Sequence, residues 1–376
     1  MDNTISFTVN QLIGFVTTVG GCIVVIGQSL IVGGQSTPIK QVITCGGSEY
    51  PADYTNHICF FDVEYDGYLY INEKTSTGVT SYACRYEDAV IRKENCLLVS
   101  NNQYTHFAYL GEGLFLAREF HRRGPNNLFQ LVNVGLGFLV DDIGFVEQKH
   151  YMTASTDIIG PFSIDKTGWS GGLWTGGNHS VNVGGVDCPT AEELDLKILV
   201  NNQEITSDGI YWGTVRFVAK NKLYFAQTIT GNTFEGATPA ILETRVYSLT
   251  DTMNVEVYIE LLDDIRFSKY YGMQYVNQNV VNIVIPNDEL VIVKADLESA
   301  YLMVNKQPDI ILQYDDGAEL HMILHPAGLG SYAHNVGTDG YGSVQTYGKT
   351  YHTLISVTTI PSGSKLYWSG EYRYVI

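Results

Sequence analysis

Charge is what this chain has least of. Asp, Glu, Lys and Arg make up only 16% of its 376 residues, well below the usual quarter. The charge it does carry is lopsided: 40 acidic residues face 22 basic ones, for a net −18. A chain this acidic repels phosphate backbones, which argues against nucleic acid as a partner. Cysteine is sparse as well. Cys22, Cys45, Cys59, Cys84, Cys96 and Cys188 form no CxxC pair, which excludes a zinc ribbon and a dense disulfide framework and leaves buried free thiols as the reading. The chain has no GxxxxGK[ST], no GxGxxG opening a helix and no HExxH, so ATP, dinucleotide and zincin chemistry have no support. Gly168-Trp169-Ser170-Gly171-Gly172 matches GxSxG by letter. A nucleophile elbow must run into a helix, however, and the glycines that follow forbid one. No cofactor is expected, and no metal. Asp62, Glu64 and Asp66, or Asp315 and Asp316, offer calcium-type oxygens without a full ligand loop. His321, His325 and His334 fall on a stretch that reads as strand and then loop.

What the chain has in excess is tyrosine and glycine, 26 and 38 residues. Tyr suits a half-buried pleated surface, while Gly serves turns and bulges. Period-two patterns recur. Val255, Val257, Ile259 and Leu261 alternate with Glu256, Tyr258 and Glu260. In the preceding run Leu242, Thr244 and Val246 alternate with Glu243, Arg245 and Tyr247, and Thr250 to Met253 is a turn candidate. Together these read as a hairpin with one wet face, which carries Glu243 and Arg245. Val280–Lys294 and Ile310–Leu324 repeat the pattern. The expected fold is all-β, an antiparallel β-sandwich or super-sandwich. The expected organisation is an apolar N-terminal segment over 1–40, a β-rich domain over 41–150 and a β-sandwich domain over 151–376. The polar triplet Gln148-Lys149-His150 marks the second boundary.

The N-terminal segment has no charged residue from Asn3 to Pro38. Leu12 to Val32 is long enough to span a bilayer, so residues 12–32 are a candidate for membrane contact. Burial as glycine-punctuated strands inside an assembly is the competing reading. No Lys or Arg precedes the apolar run, so a cleaved secretory signal is not expected.

The stretch from Trp169 to Gly185 holds two Trp, six Gly, two Asn and His179. A strand interior does not tolerate so many glycines, so this is a loop whose backbone approaches something closely. Trp faces stack on sugar C–H faces, and Asn and His bond hydroxyls. Trp169, Trp174, Asn178 and Arg245 are therefore the candidate ligand-binding residues. His179 and Glu243 are candidates for acid and base, with Asp157 as another partner for the histidine. Arg118-Glu119-Phe120-His121-Arg122-Arg123 is the only basic cluster, and it either pairs with internal carboxylates or binds an anionic glycan.

Two resemblances extend this reading. The opening MDNTISFTVNQLIGFVTTVGG resembles the short apolar N-termini of small proteins from the tail and lysis regions of bacteriophages that infect Gram-positive bacteria. GLWTGGNHSVN, followed by LETRVYSL and YYGMQ, resembles a β-rich module of phage tail-fibre and receptor-binding proteins. The resemblance implies a virion protein of the tail tip or fibre, in a homo-oligomer with other virion subunits, that binds a bacterial surface glycan. A surface adhesin on the bacterial cell is a further alternative. The same stretches are similar, more loosely, to the super-sandwich of aldose epimerases and some polysaccharide lyases. That similarity implies a carbohydrate-active enzyme in which His179 and Glu243 meet in a sugar cleft.

Overall fold

The computed structural model describes residues 95–376, apart from 112–113, 141–143, 154–156, 277–278, 287–289, 294–301, 305–308, 334–341 and 346–348. Before residue 95 it describes only the backbone of Thr17–Val19, Cys22–Val24, Ser29–Val32, Gln35–Pro38, Ile58–Tyr65, Tyr68–Thr75 and Gly78–Arg85, and for a few residues of the later strands backbone alone. Leu12–Val32 therefore lies outside the described side chains. Its backbone includes the paired strands Thr17–Val19 and Cys22–Val24. Among the described residues no helix is long and apolar enough to cross a membrane. The thiols of Cys22, Cys45, Cys59 and Cys84, and His334, also lie outside the described residues.

The fold is all-β, as expected, and its strands pair antiparallel. One ten-stranded sheet runs in the order Gln203–Glu204, Ala191–Val200, Val215–Tyr224, Pro239–Leu249, Thr252–Leu261, Lys365–Val375, Glu319–His325, Asp309–Tyr314, Val280–Ile285 and Leu290–Val293. Two six-stranded sheets pack on its inner face. The first holds the strands between Cys96 and Thr153 together with Gly209–Trp212. The second is ordered Leu173–Thr175, Phe162–Lys166, Ile265–Val276, Lys349–Ile360, Gly342–Gln345 and Leu302–Val304.

Aromatic rings fill both joints. Phe120 and Phe129 of the first sheet meet Phe217 at 4.9 and 5.1 Å between ring centroids, and Tyr247 at 5.4 and 6.4 Å. In the second sheet, Phe162 stacks on Tyr270 at 4.0 Å. The Trp368 Nε1–H of the ten-stranded sheet then donates to the Tyr270 hydroxyl at 2.8 Å. Tyr270 is thus a core residue whose hydroxyl finds a partner, as a buried tyrosine usually does. One cluster of buried side chains runs from Leu97 to Tyr374. Gln148-Lys149-His150 lies inside the strand Gly144–Thr153. Cys96 and Cys188 are buried, and Cys188 carries a free thiol.

The expected hairpin is present, with Leu249 paired to Met253 across its turn. The strand Thr252–Leu261 presents its faces as its alternation predicts. The strand Pro239–Leu249 does not. Glu243, Arg245 and Tyr247 point into the core, while Leu242 and Thr244 are half-buried on the outer face. Register explains the inversion: Glu243 pairs with Ile259, Arg245 with Val257 and Tyr247 with Val255. Directly paired residues share a face, and the apolar partners can only face inward. The wet face predicted for Glu243 and Arg245 is thus the buried one.

Candidate functional site

The candidate site is built from a two-glycine turn. Trp174 sits on the short strand Leu173–Thr175, paired with Ser163. The chain then turns through Gly176 and Gly177, whose φ angles are +78° and +52°, a left-handed pair for which glycine is the natural choice. Space adds to the requirement. A Cβ at Gly177 would collide with the Asp157 carboxylate, and one at Gly176 would come within 2.7 Å of Leu223. The His179 N–H closes the turn on the Gly176 carbonyl at 3.2 Å.

The turn is anchored from below. The Asn126 amide donates to the carbonyls of Gly177 (2.7 Å) and His179 (2.9 Å), and the Thr190 hydroxyl donates to His179 O at 2.6 Å. The Asn178 N–H donates to Asp157 Oδ2 at 3.0 Å, and Asn178 Oδ1 accepts from Gln130 Nε2 at 2.7 Å. Asn178 thus spends its side chain on holding the loop. The outcome is a fixed ring position. His179 stacks on Trp174 at 5.3 Å, Trp174 on Tyr271 at 5.5 Å, and Tyr271 meets Tyr351 at 4.4 Å. The run starts half-exposed at His179 and Trp174 and ends buried at Tyr351. Lys269 lies over the Tyr271 ring at 5.1 Å and donates to its hydroxyl at 3.2 Å.

Under the turn lies a buried polar cluster. Arg245 Nε donates to Glu243 Oε2 at 2.7 Å, and the Asn221 amide donates to the same oxygen at 3.0 Å. Both side chains of the ion pair are sealed, at 1% and 0% exposure. Burial works against the Arg245 charge, but Glu243, Tyr247 and Asp157 outweigh it and hold the guanidinium firmly protonated. Burial pushes the Asp157 carboxyl up to about 6, against the Asn178 N–H and the charges of Arg245 and Lys349, which pull it down. Burial lowers the His179 imidazole, and Lys349 adds to that. A line of electrostatic contacts therefore links Glu243, Arg245, Asp157, Lys349 and His179.

The structure brings together Trp174 and His179, and places Asp157 beneath them. Trp169 stands apart at the tip of the hairpin that joins Phe162–Lys166 to Leu173–Thr175, 43% exposed. Glu243 and Arg245 belong to the interior. Tyr271 and Tyr351 complete the ring run and were missed by sequence reading. The YYGMQ stretch that carries Tyr271 was the available signal. Most of the basic cluster is engaged within the chain, and Arg123 is exposed. Arg118 is fully buried, Arg122 donates to Glu193 at 2.7 and 3.0 Å, and His121 contacts Glu119 at 3.2 Å. Asp315 and Asp316 engage Lys149, while His321 and His325 face Glu319 and Glu371. Among the described residues, no three His, Cys, Asp or Glu side chains gather as a metal site would require.

No protein-family model matches this chain, and no curated protein does. Among solved structures it is similar to the galactosidase domain of the α-galactosidase–sucrose kinase AgaSK, at 9% identity and a TM-score of 0.40. That alignment covers 74% of this chain and 41% of the other, so this chain spans under half of that structure's length. A galactose 1-epimerase from Lactobacillus acidophilus NCFM aligns at 7% identity and a TM-score of 0.29, covering 75% of this chain and 98% of the other.

Proposed function

We propose that this chain is a glycan-binding β-sandwich protein that holds its ligand at the mouth of the His179–Trp174–Tyr271 run and does not turn it over. The observation that carries this reading is the run itself, a set of aromatic rings fixed by a two-glycine turn and left half-open beside lysines. Rings give apolar contact to sugar C–H faces, and His and Lys give hydrogen bonds to hydroxyls. Burial of Glu243 argues against turnover. A catalytic acid or base has to come within hydrogen-bond reach of the substrate, and Glu243 is occupied by Arg245 and Asn221 beneath the sheet surface. The sequence resemblance supports a virion setting, with the chain in a tail tip or fibre, oligomeric, and directed at a bacterial surface glycan.

A second reading, a carbohydrate-active enzyme, finds its best support in Asp157. Its carboxyl is raised to about 6 and lies directly under the His179 turn, and such a value suits proton transfer near neutrality, although at 1% exposure it lies as deep as Glu243.

The test is binding of the full chain to a glycan array. Trp174→Ala should weaken the positive glycans about tenfold, the scale of one lost ring contact. Trp174→Phe, which keeps a ring in the run, should retain most of the binding. Unchanged binding by Trp174→Ala, together with a lowered melting temperature, would make the loop purely structural. Glycan cleavage or epimerisation that disappears in Asp157→Asn would move the protein to the enzyme class.

A further inference from the structure

The outer face of the ten-stranded sheet carries features that the ring run does not use. A groove of about 470 Å³ crosses it, floored by Leu242 and Thr244 and walled by Tyr258, Tyr367, Lys220 and Lys365. Tyr258 and Tyr367 are directly paired across neighbouring strands, with rings 4.9 Å apart and tilted by 40°. Both hydroxyls donate to one Glu256 oxygen at 3.2 Å. That shared acceptor fixes the two rings, yet Tyr258 stays 45% exposed.

At one end of the groove stands Leu194. It is the extra residue of a β-bulge, since Glu193 pairs with Asn221 and Asp195 with the next residue, Lys220. A bulge re-aims a side chain, and Leu194 is 51% exposed. Leu194 also lines a second trench, of about 640 Å³, that runs past Asn126, Asn127 and Phe234. That trench is acidic, with Glu192, Glu193 and Asp195 against Arg122, and differs in character from the groove.

We infer that this groove is a second glycan site, which takes an extended, uncharged polysaccharide segment, with the Tyr258–Tyr367 pair as its stacking platform. Charge favours that occupant. Lys220, Lys365 and Glu260 line the groove and Glu256 sits at the tyrosine hydroxyls, so the groove is locally balanced in a chain of net charge −18. A polyanion or a basic peptide would call for one dominant sign. A hydroxyl-rich neutral chain calls for rings and alternating donors and acceptors. The groove's lining comes from five neighbouring strands, an elongated form that suits a polymer, whereas the ring run offers one compact mouth.

The inference goes beyond the glycan reading of the ring run, and the experiment separates the two. The full chain, Tyr258→Ala, Tyr258→Phe and Trp174→Ala are each titrated with a panel of neutral soluble polysaccharides and with the short oligosaccharides made from them. Tyr258→Ala should weaken polysaccharide binding about tenfold and leave oligosaccharide binding unchanged. Tyr258→Phe, which keeps the ring, should stay within about twofold. Tyr258 is exposed, so its variants should fold, and a melt checks this. Normal polysaccharide binding by folded Tyr258→Ala overturns the second site, whatever Trp174→Ala does. Loss through Tyr258→Ala with no effect of Trp174→Ala keeps the second site and removes the first. No binding of any neutral polysaccharide by the full chain also overturns the second site, as does a chain that dimerises through this face when Tyr258 is intact.

Discussion

Two buried arginines hold the two joints of the sandwich, and they are neutralised in opposite ways. Arg118 reaches from the first six-stranded sheet to the turn of the ten-stranded one. It donates to Thr250 O at 2.6 Å and to Asp251 O. Its side-chain neighbour is His106, at 3.4 Å. Burial lowers Arg118 to about 10, and burial with the Arg118 charge drives His106 well below its ordinary value. Arg245, under the second sheet, pairs directly with the Glu243 carboxylate, and Glu243, Tyr247 and Asp157 raise it. The difference shows what each joint is for. A guanidinium satisfied by backbone carbonyls only needs the main chain to stay where it is. One satisfied by Glu243 and felt by Asp157 belongs to a titrating network that reaches the turn under His179.

The largest effect is expected at the first joint. Arg118→Met should cost about 3 kcal/mol, the scale of losing hydrogen bonds from a buried charged donor. It strands the Thr250 and Asp251 carbonyls, and no second substitution can remove a backbone acceptor. Arg245→Met should cost a similar amount alone, because it strands Glu243. Here the comparison sharpens, since Glu243→Leu combined with Arg245→Met should recover much of the loss. Urea melts of the three variants read both statements. A double variant no more stable than Arg245→Met would mean that the two joints do not differ in kind.

The inward face of Pro239–Leu249 also marks where the sequence stopped being readable. Val255 to Leu261 alternates between strongly apolar and polar residues, so its faces were plain. In the neighbouring strand, Leu242, Thr244 and Val246 compete with Glu243, Arg245 and Tyr247, and an acid and a base look like surface. Only the partner strand resolves this, because pairing with Val255, Val257 and Ile259 forces the charged set inward. The site was half legible. Trp174 and His179 are five residues apart and announced by glycines. Tyr271 and Tyr351 arrive from strands whose positions only the sheet order sets. The Asn101-Asn102 and Asn201-Asn202 pairs were readable and went unread. All four residues have positive φ, between 50° and 63°, as tight hairpin turns require, and they set the registers Ser100 to Gln103 and Val200 to Gln203.

The second joint should also reveal itself through pH. The Asp157 carboxyl is higher folded, at about 6, than its unfolded value near 3.8. Between those values the folded state holds the proton that the unfolded state has released. Stability therefore falls as pH rises from about 4 to 6, by about 3 kcal/mol in total. Asp157→Asn should flatten that fall and leave the protein more stable at pH 7. His106 at the first joint has the opposite sign: its folded pKa is depressed, so its contribution is present above pH 6.5 and is lost as pH drops below it. Stability curves from pH 4 to 8 for Asp157→Asn and His106→Gln separate the two. If Asp157→Asn leaves the acid side of the curve unchanged, Asp157 is not the buried titrating group.

The smallest effect tests the hydroxyls beside the two kinds of neighbour. Tyr247 lies close to Arg245, yet its hydroxyl finds no partner with hydrogen-bond geometry among the described residues. Tyr372 packs in the same core, and its hydroxyl donates to Ile158 O at 2.7 Å and lies 3.0 Å from Gln274 O. Removing a hydroxyl that bonds leaves buried acceptors bare, whereas removing one that does not bond takes away a desolvation cost. Tyr372→Phe should therefore destabilise by about 1–2 kcal/mol. Tyr247→Phe should fall within about 0.5 kcal/mol of the parent or gain slightly, because the ring that packs on Phe120 and Phe129 is kept. Two denaturant melts measure the difference directly. A loss at Tyr247 as large as that at Tyr372 would show that the Tyr247 hydroxyl contributes to holding Arg245, and the second joint would then rest on the phenol as well as on its carboxylates.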